Sequence, residues 1–242
     1  MFRSRNYYVR IRGEMGLFTN PATKGGGERS SYLVPTLQAL IGMMDAIYYK
    51  PTIKNVVTEV KVIKQIQTEL HGTRALLHDY SADLSSVSYL SQVEYLVKFH
   101  FVWNENRPDL MQDRVPNKHE AIMERSLKKG GRRDIFIGVK ECLGLAEAIS
   151  QEDYETTPSY YQGETIDFGL MFHSFSYPTE AGQSLKSYFS QTTMIDGKIT
   201  FKEQSECEVV NQLSSYSFKP SGEIKFVHQE YEDYQTMEKG EK

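Results

Sequence analysis

The chain has 242 residues, of which 39% are hydrophobic and 25% are charged. This balance allows a substantial hydrophobic core and excludes both a membrane-embedded and a disordered chain. No apolar run approaches the roughly 18 residues of a membrane span, and no apolar segment follows the arginine-rich start, so we expect neither a membrane helix nor a secretory signal. Two cysteines, Cys142 and Cys207, are too few for a disulfide framework or a cysteine-based zinc site, which favours a reducing, cytoplasmic location.

The net charge of −4 conceals an uneven distribution. Residues 1–144 contain 21 Lys/Arg against 15 Asp/Glu, a balance of +6, whereas residues 145–242 contain 7 against 17, a balance of −10. A basic first part favours a surface for a polyanion, although an acidic half kept only for solubility would give the same totals.

The first 50 residues predict a strand, a loop and a helix. Residues 7–12 alternate between apolar and aromatic or basic side chains, which is typical of a half-buried strand. The glycine-rich residues 23–30 lack the Gly-Lys-Ser/Thr ending of a phosphate loop, and we expect a flexible loop in which Lys24 and Arg29 could contact a backbone phosphate. A helical apolar stripe runs from Pro35 to Pro51, with Tyr48 in its last turn. Tyrosine there is usually a core residue, but its hydroxyl could reach the surface.

The pattern then predicts a long strand or a bent pair of strands over residues 53–68 and another strand over residues 93–102, separated by a polar insertion or long loop over residues 71–91. A second helix is expected to begin with Asn117 as its N-cap. Lys118 and His119 then occupy its first turn, where free N–H groups and the helix dipole attract an anion and favour a neutral imidazole. An ordinary exposed pair at a helix end is the alternative.

Four cations bracket a glycine pair where this second helix ends, over residues 128–133. Gly130 and Gly131 let the backbone approach a ligand closely. Arg132 and Arg133 lie beyond the helix end, so the helix dipole does not explain them, and we expect them to contact phosphate.

A strand predicted over residues 134–139 completes a β-α-β-β-α-β order over residues 5–140, the ferredoxin-like or RRM-like plan. From about residue 145 the pattern is all-β, with a hairpin signal at Asp196-Gly197. The sequence therefore predicts the α+β class: an N-terminal ferredoxin-like/RRM-like domain (residues 1–144), a small antiparallel β-rich C-terminal domain (145–228) and an acidic tail (229–242).

No sequence pattern indicates a metal, a cofactor or a serine nucleophile. None of the six histidines pairs with another at helical spacing, His78-Asp79 lacks further ligands, and no Gly-x-Ser-x-Gly occurs. We therefore expect a protein that needs neither metal nor cofactor.

Several segments together resemble the CRISPR-associated repeat-processing endoribonuclease of subtype I-C, a RAMP-superfamily protein: residues 31–36, 46–53, 118–119, 125–136 and 169–178. The likeness spans about residues 5–205. It implies an RRM-like domain followed by a small β-rich domain, and metal-independent cleavage of CRISPR repeat RNA in the precursor transcript. It also implies that the protein stays bound to the 5′ tag with other subunits of the interference complex. The family's catalytic tyrosine, lysine and histidine correspond to Tyr48, Lys118 and His119.

The implied reaction is attack of a 2′-hydroxyl on the neighbouring phosphate, in which His119 transfers a proton, Lys118 stabilises negative charge and Tyr48 positions or transfers a proton. The expected RNA contacts are Lys24, Arg29, Gly130, Gly131, Arg132 and Arg133. Two other readings stay open: a non-catalytic subunit that caps guide RNA, and a metal-dependent DNA nuclease, for which the basic half lacks clustered carboxylates. The cationic surface could also bind DNA weakly and without specificity.

Overall fold

The computed structural model describes residues 2–23, 28–76, 81–178 and 183–215. The strands are β1 (Tyr7–Gly16), β2 (Glu28–Ser30), β3 (Ile53–Val62), β4 (Gln67–Leu76), β5 (Ala82–Trp103), β6 (Ile135–Phe136), β7 (Leu143–Ala148), β8 (Thr165–Ser176), β9 (Ser184–Ile195), β10 (Lys198–Thr200) and β11 (Val209–Ser215). The α-helices are α1 (Leu37–Ile47), α2 (Pro116–Lys128) and α3 (Gln151–Thr156), and short 3₁₀ helices cover Pro108–Asp113 and Gln204–Glu206. Lys24 and the predicted tail at 229–242 lie outside the described residues.

The centre of the sheet has the strand order β3-β5-β1-β7, with antiparallel pairing throughout. In chain order these strands and two helices run β1-α1-β3-β5-α2-β7. On the far side of β3 the sheet continues through β10, β9 and β11, while β8 pairs with β9. The mixture of an antiparallel sheet with a few helices confirms the α+β class.

The predicted strand over residues 134–139 is wrong in position. Only Ile135–Phe136 is extended, as β6, and the neighbour of β1 is β7. The chain turns here because Ile137 donates its N–H to the Cys142 carbonyl (2.8 Å) and Gly138 adopts a φ of 89°. β7 runs through residue 144, where the first predicted domain ends.

The prediction of a loop over residues 71–91 is also wrong. This stretch forms β4 and the first half of β5, which pair continuously from Gln67 with Ser91 to Leu76 with Ala82. Leu70 and Leu84 are 71% and 66% exposed. Val87 and Leu90 are buried, but the apolar residues of this stretch do not alternate regularly with polar ones, so the sequence pattern does not indicate a strand.

The alternation predicted for β1 is confirmed and organises the core. Tyr7, Val9 and Ile11 are buried in the core cluster, which also contains residues of α1 and α2. The opposite face carries ion pairs, among them Arg12 with Glu147.

The predicted Asp196-Gly197 hairpin is confirmed as the turn between β9 and β10, with φ values of 52° and 75°. Within the described ranges, no helix is long and apolar enough to cross a membrane.

Candidate active site

Tyr48 is the residue at which α1 ends. Its backbone N–H donates to the Met44 carbonyl (3.0 Å), while its own carbonyl accepts from Asn55 Nδ2 (3.0 Å). The residue is extended and completely buried, so the hydroxyl does not reach the surface. It lies instead 2.8 Å from Nδ1 of His119, 71 positions along the chain.

His119 lies in the first turn of α2, as predicted, although the cap differs from the prediction. Val115 is the N-cap and Pro116 the first helical residue, so Asn117 already lies inside the helix. Proline suits that first position because its fixed φ fits a helix and its missing N–H leaves no donor unpaired. No acidic residue lies in the first turn. Unlike an ordinary exposed helix-end residue, His119 is completely buried.

The hydrogen bonds of His119 determine which ring nitrogen carries the proton. Nε2 lies 2.8 Å from the backbone carbonyl oxygen of Asp113, which can only accept. Nε2 is therefore protonated, and in the neutral ring Nδ1 accepts the hydroxyl proton of Tyr48. The hydrogen bond in this buried pair thus has a defined direction: the Tyr48 phenol donates and the His119 imidazole accepts.

Aromatic rings surround this pair. The rings of Trp103 and Phe101 meet the His119 ring edge-on, with centroids 5.6 and 6.4 Å away. Burial is the main cause that raises the pKa of Tyr48, and the nearby Arg132 guanidinium opposes it. A phenol is neutral at pH 7 with its ordinary pKa, and the raised pKa of Tyr48 keeps it a donor to His119 at higher pH as well.

Asp113, which the sequence patterns did not indicate, contacts both Lys118 and His119. Its carboxylate accepts from Lys118 Nζ and, at 2.5 Å, from Thr52 Oγ1, and Oδ2 lies 3.5 Å from His119 Nε2. The hydrogen bond from Lys118, followed by that from Thr52, lowers the pKa of Asp113 to about 2. Lys118 is exposed, with its ammonium group on this carboxylate.

The turn after α2 brings Arg132 to Tyr48. Gly130 and Gly131 have φ values of 77° and 115°, and a Cβ at Gly130 would lie 3.0 Å from the Ala146 carbonyl oxygen. This left-handed turn returns the chain to the end of α1, where the N–H groups of Arg132 and Arg133 both donate to the Ala46 carbonyl (3.2 and 3.1 Å). The Arg132 guanidinium lies 5.2 Å from the centre of the Tyr48 ring.

A cleft of about 760 Å³ lies between this turn and β7. Its wall carries four cations: Lys128, Lys129, Arg132 and Arg133. All four are exposed, and none forms an ion pair with a carboxylate in the part of the chain that the structure describes. Asp134 and Glu147 also line the cleft, and Glu147 pairs with Arg12, so an anion entering the cleft meets more cations than free carboxylates.

Arg29 does not contact the Tyr48–His119 pair. It lies in β2, opposite Val87 of β5, and no hydrogen bond or ion pair between described residues connects it to Tyr48 or His119. The predicted contact at Lys24 falls outside the described ranges. No three His, Cys, Asp or Glu side chains among the described residues are grouped so that they could hold a metal ion.

The fold and the site define an α+β protein in which a buried phenol–imidazole pair adjoins a cationic cleft. The family described as CRISPR-associated protein (Cas_Cas5) matches residues 7–202. The chain belongs to this Cas5 family of RAMP-type CRISPR-associated proteins, and the match is to its Cas5d type.

Relatives and solved structures agree with this assignment. A CRISPR pre-crRNA endoribonuclease Cas5d of Thermus thermophilus is 23% identical over 246 residues, 96% of each chain. A protein of the same name from Mannheimia succiniciproducens is 26% identical over 194 residues, 70% of this chain and 84% of that protein. The crystal structure of a CRISPR-associated protein is 63% identical with a TM-score of 0.77, covering 88% of this chain and 99% of that one. A functionally uncharacterized Streptococcus mutans protein is 65% identical with a TM-score of 0.76, covering 88% and 100%.

Proposed function

We propose that this protein is a metal-independent endoribonuclease that cleaves CRISPR repeat RNA in the precursor transcript and then stays bound to the 5′ tag within the interference complex. The observation that carries the proposal is the Tyr48–His119 hydrogen bond, with Lys118 next in sequence and the cationic cleft alongside. The names of the two relatives support RNA processing as the activity.

The proposed architecture is a ferredoxin-like N-terminal domain followed by a small β-rich domain. The order β1-α1-β3-β5-α2-β7 supports the first part, because β-α-β-β-α-β is the ferredoxin-like plan. β8 to β11 supply the second part.

In the proposed reaction the 2′-oxygen forms a bond to the adjacent phosphorus while the bond to the 5′-oxygen breaks. The 2′-hydroxyl loses its proton to a base, the departing 5′-oxygen gains one, and the phosphate becomes a 2′,3′-cyclic diester. A metal ion is unnecessary if side chains supply both proton transfers and the positive charge for the pentacoordinate transition state.

The geometry supports a role for each of the three residues. His119 exchanges protons, and its Nδ1 is already aligned with the hydroxyl of Tyr48. Tyr48, a neutral phenol at pH 7, donates to that nitrogen or relays its proton. Lys118 is exposed and provides the charge that meets the phosphate.

The RNA backbone is proposed to follow the cleft lined by the Lys128–Arg133 turn. Phosphate contacts are mainly electrostatic and do not depend on base sequence. The same four cations should therefore bind DNA weakly and with strong salt dependence, without implying DNA cleavage.

Burial of the pair is the observation that favours a second candidate, a guide-RNA-capping subunit without catalysis. Tyr48 and His119 expose no surface in this conformation, so a substrate cannot contact them until something moves. A capping subunit would use the cleft alone. Cleavage of repeat RNA by the wild-type protein distinguishes the two functions.

The test is single-turnover cleavage of a repeat RNA by His119→Ala and Lys118→Ala, with Lys186→Ala as the control, because Lys186 is an exposed lysine on β9 that does not line the cleft. Loss of a proton-transfer group should slow cleavage about 100-fold or more while RNA binding persists. Near wild-type cleavage by His119→Ala would contradict the assignment.

A further inference from the structure

An internal carboxylate already occupies the position that the proposed mechanism gives to a phosphate. Asp113 accepts from Lys118 Nζ through Oδ1 and from Thr52 through Oδ2, which also lies 3.5 Å from His119 Nε2. The backbone carbonyl oxygen of the same residue accepts a hydrogen bond from His119 Nε2. The two groups expected to meet the scissile phosphate are thus both engaged by one residue.

The segment that carries Asp113 is attached to the protein by polar contacts. The 3₁₀ helix Pro108–Asp113 contains no buried residue, and Met111 on it is 63% exposed. Its end is fastened to the body of the protein through the contacts of Asp113 with Thr52, Lys118 and His119. The next residue, Arg114, adds an ion pair with Glu105 and a hydrogen bond to the Asn104 carbonyl, both within the loop that precedes the helix. A segment without buried apolar anchors opens at low free-energy cost once such contacts are broken.

We propose that Asp113 is an internal anion that keeps the site closed, and that the phosphate of the RNA displaces it. The inference rests on the proposed function and concerns the regulation of the same site. When the phosphate binds Lys118, the ammonium leaves the Asp113 carboxylate and the 3₁₀ helix moves away with its carbonyl. The Nε2–H group of His119 is then free to face the substrate, which explains how a buried imidazole can take part in cleavage.

The structure supplies a matched pair of variants. Asp113 and Asp109 lie in the same 3₁₀ helix, but Asp109 pairs with Arg107 (2.9 and 2.7 Å) and has no hydrogen bond or ion pair with Lys118 or His119 among the described contacts. Asp113→Asn and Asp109→Asn change the net charge equally. The comparison therefore removes the effect of net charge, and the difference between the two variants reports on the position of Asp113 at Lys118 and His119.

The first measurement is the affinity for a repeat RNA made uncleavable by a 2′-deoxy substitution at the cut. We expect Asp113→Asn to bind about 2- to 5-fold more tightly than Asp109→Asn, the range for releasing one partly exposed ion pair. Equal affinities, or weaker binding by Asp113→Asn, would overturn the proposal and leave Asp113 as a residue that only maintains structure.

The second measurement uses the free protein and does not depend on RNA or cleavage. Trp103 is the single tryptophan of the chain and its ring packs edge-on against His119. Opening of the segment releases the His119 ring that packs against Trp103 and should thereby make Trp103 more accessible to acrylamide. Fluorescence quenching should therefore increase in Asp113→Asn but not in Asp109→Asn. Thr52→Val, which removes one contact of Asp113 without changing charge, should increase quenching too.

Unchanged quenching in both Asp113→Asn and Thr52→Val would overturn the closing role even if the protein cleaves RNA. Conversely, a wild-type protein that does not cleave repeat RNA would contradict the proposed function while the quenching result still reports on the closed segment.

Discussion

At the scale of residues, the central feature is one imidazole with both nitrogens engaged. Tyr48 and the Asp113 carbonyl hold the ring of His119, and Trp103 packs against it. Such a ring has one neutral tautomer and one orientation in the closed site, and the bond to Tyr48 is the contact that the proposed opening leaves in place to orient it for proton transfer.

Tyr48→Phe tests this feature directly. The change keeps the ring in the core and removes only the hydroxyl, which leaves Nδ1 of His119 buried without its donor. We expect slower single-turnover cleavage and a loss of about 1–3 kcal/mol in the free energy of unfolding. Tyr49→Phe is the control, because Tyr49 is the next residue and is 50% exposed. Equal rates for the two variants would assign Tyr48 to the core alone.

His100 predicts a pH dependence of stability. Burial, with a smaller contribution from Arg3, lowers the pKa of His100 from 6.5 to about 4. Between these values the unfolded chain binds a proton that the folded protein does not, so stability falls as the pH drops from 6.5 to 4 and this contribution levels off below 4.

Denaturant unfolding of His100→Gln at several pH values checks this prediction. The variant should lose less stability than the wild type between pH 6.5 and 4. Parallel curves for the two proteins would show that His100 does not titrate differently in the folded and unfolded states.

The site could be predicted from the sequence only in part. Lys118 and His119 stood out as cations in a helix start, whereas Tyr48 was singled out as catalytic only by family resemblance. No spacing rule joins residues 71 positions apart, so the Tyr48–His119 bond becomes visible only once the sheet places α1 beside α2. Asp113 belongs to no motif, and its role depends on contacts with Thr52, Lys118 and His119 that only the folded chain forms.

At the scale of elements, predictions succeeded where the sequence carries an alternating pattern or a strong turn signal. They failed where the sequence carries neither. β1 and the β9–β10 turn follow from alternation and from Asp-Gly chemistry. β4 and the first half of β5 lack a regular apolar alternation, although Val87 and Leu90 are buried. The position of β7 depends on the turn between Ile137 and Cys142, which has no strong sequence signal.

The turn after α2 predicts how RNA binding depends on salt. Arg132 and Arg133 also contact α1, so the cleaner change is Lys128→Ala with Lys129→Ala. The slope of log affinity against log salt should become shallower by about 1 for each lost phosphate contact. The control is Lys198→Ala with Lys202→Ala, two lysines that already pair with Glu59 and Glu208. The same slope in both double variants would place the RNA elsewhere.

At the scale of the whole molecule, the basic first part contains cations of two kinds. Those on the sheet face, such as Arg12 and Lys98, are compensated by Glu147 and Glu59. Those beside the cleft have no carboxylate partner among the described residues. The net charge of −4 therefore says little about binding, since local compensation decides which surface attracts a polyanion.

The most direct test of the proposed function compares the cleavage of two repeat RNAs in the presence of a chelator. One RNA is unmodified, and the other has a single 2′-deoxy nucleotide on the 5′ side of the cut. If the 2′-hydroxyl is the nucleophile, the substituted RNA should bind but remain intact. The unmodified RNA should be cut at an unchanged rate, giving a cyclic or 3′-phosphate end on one fragment and a 5′-hydroxyl on the other. Cleavage of the substituted RNA at the same bond, or loss of cleavage in chelator, would contradict the roles proposed for Tyr48, Lys118 and His119.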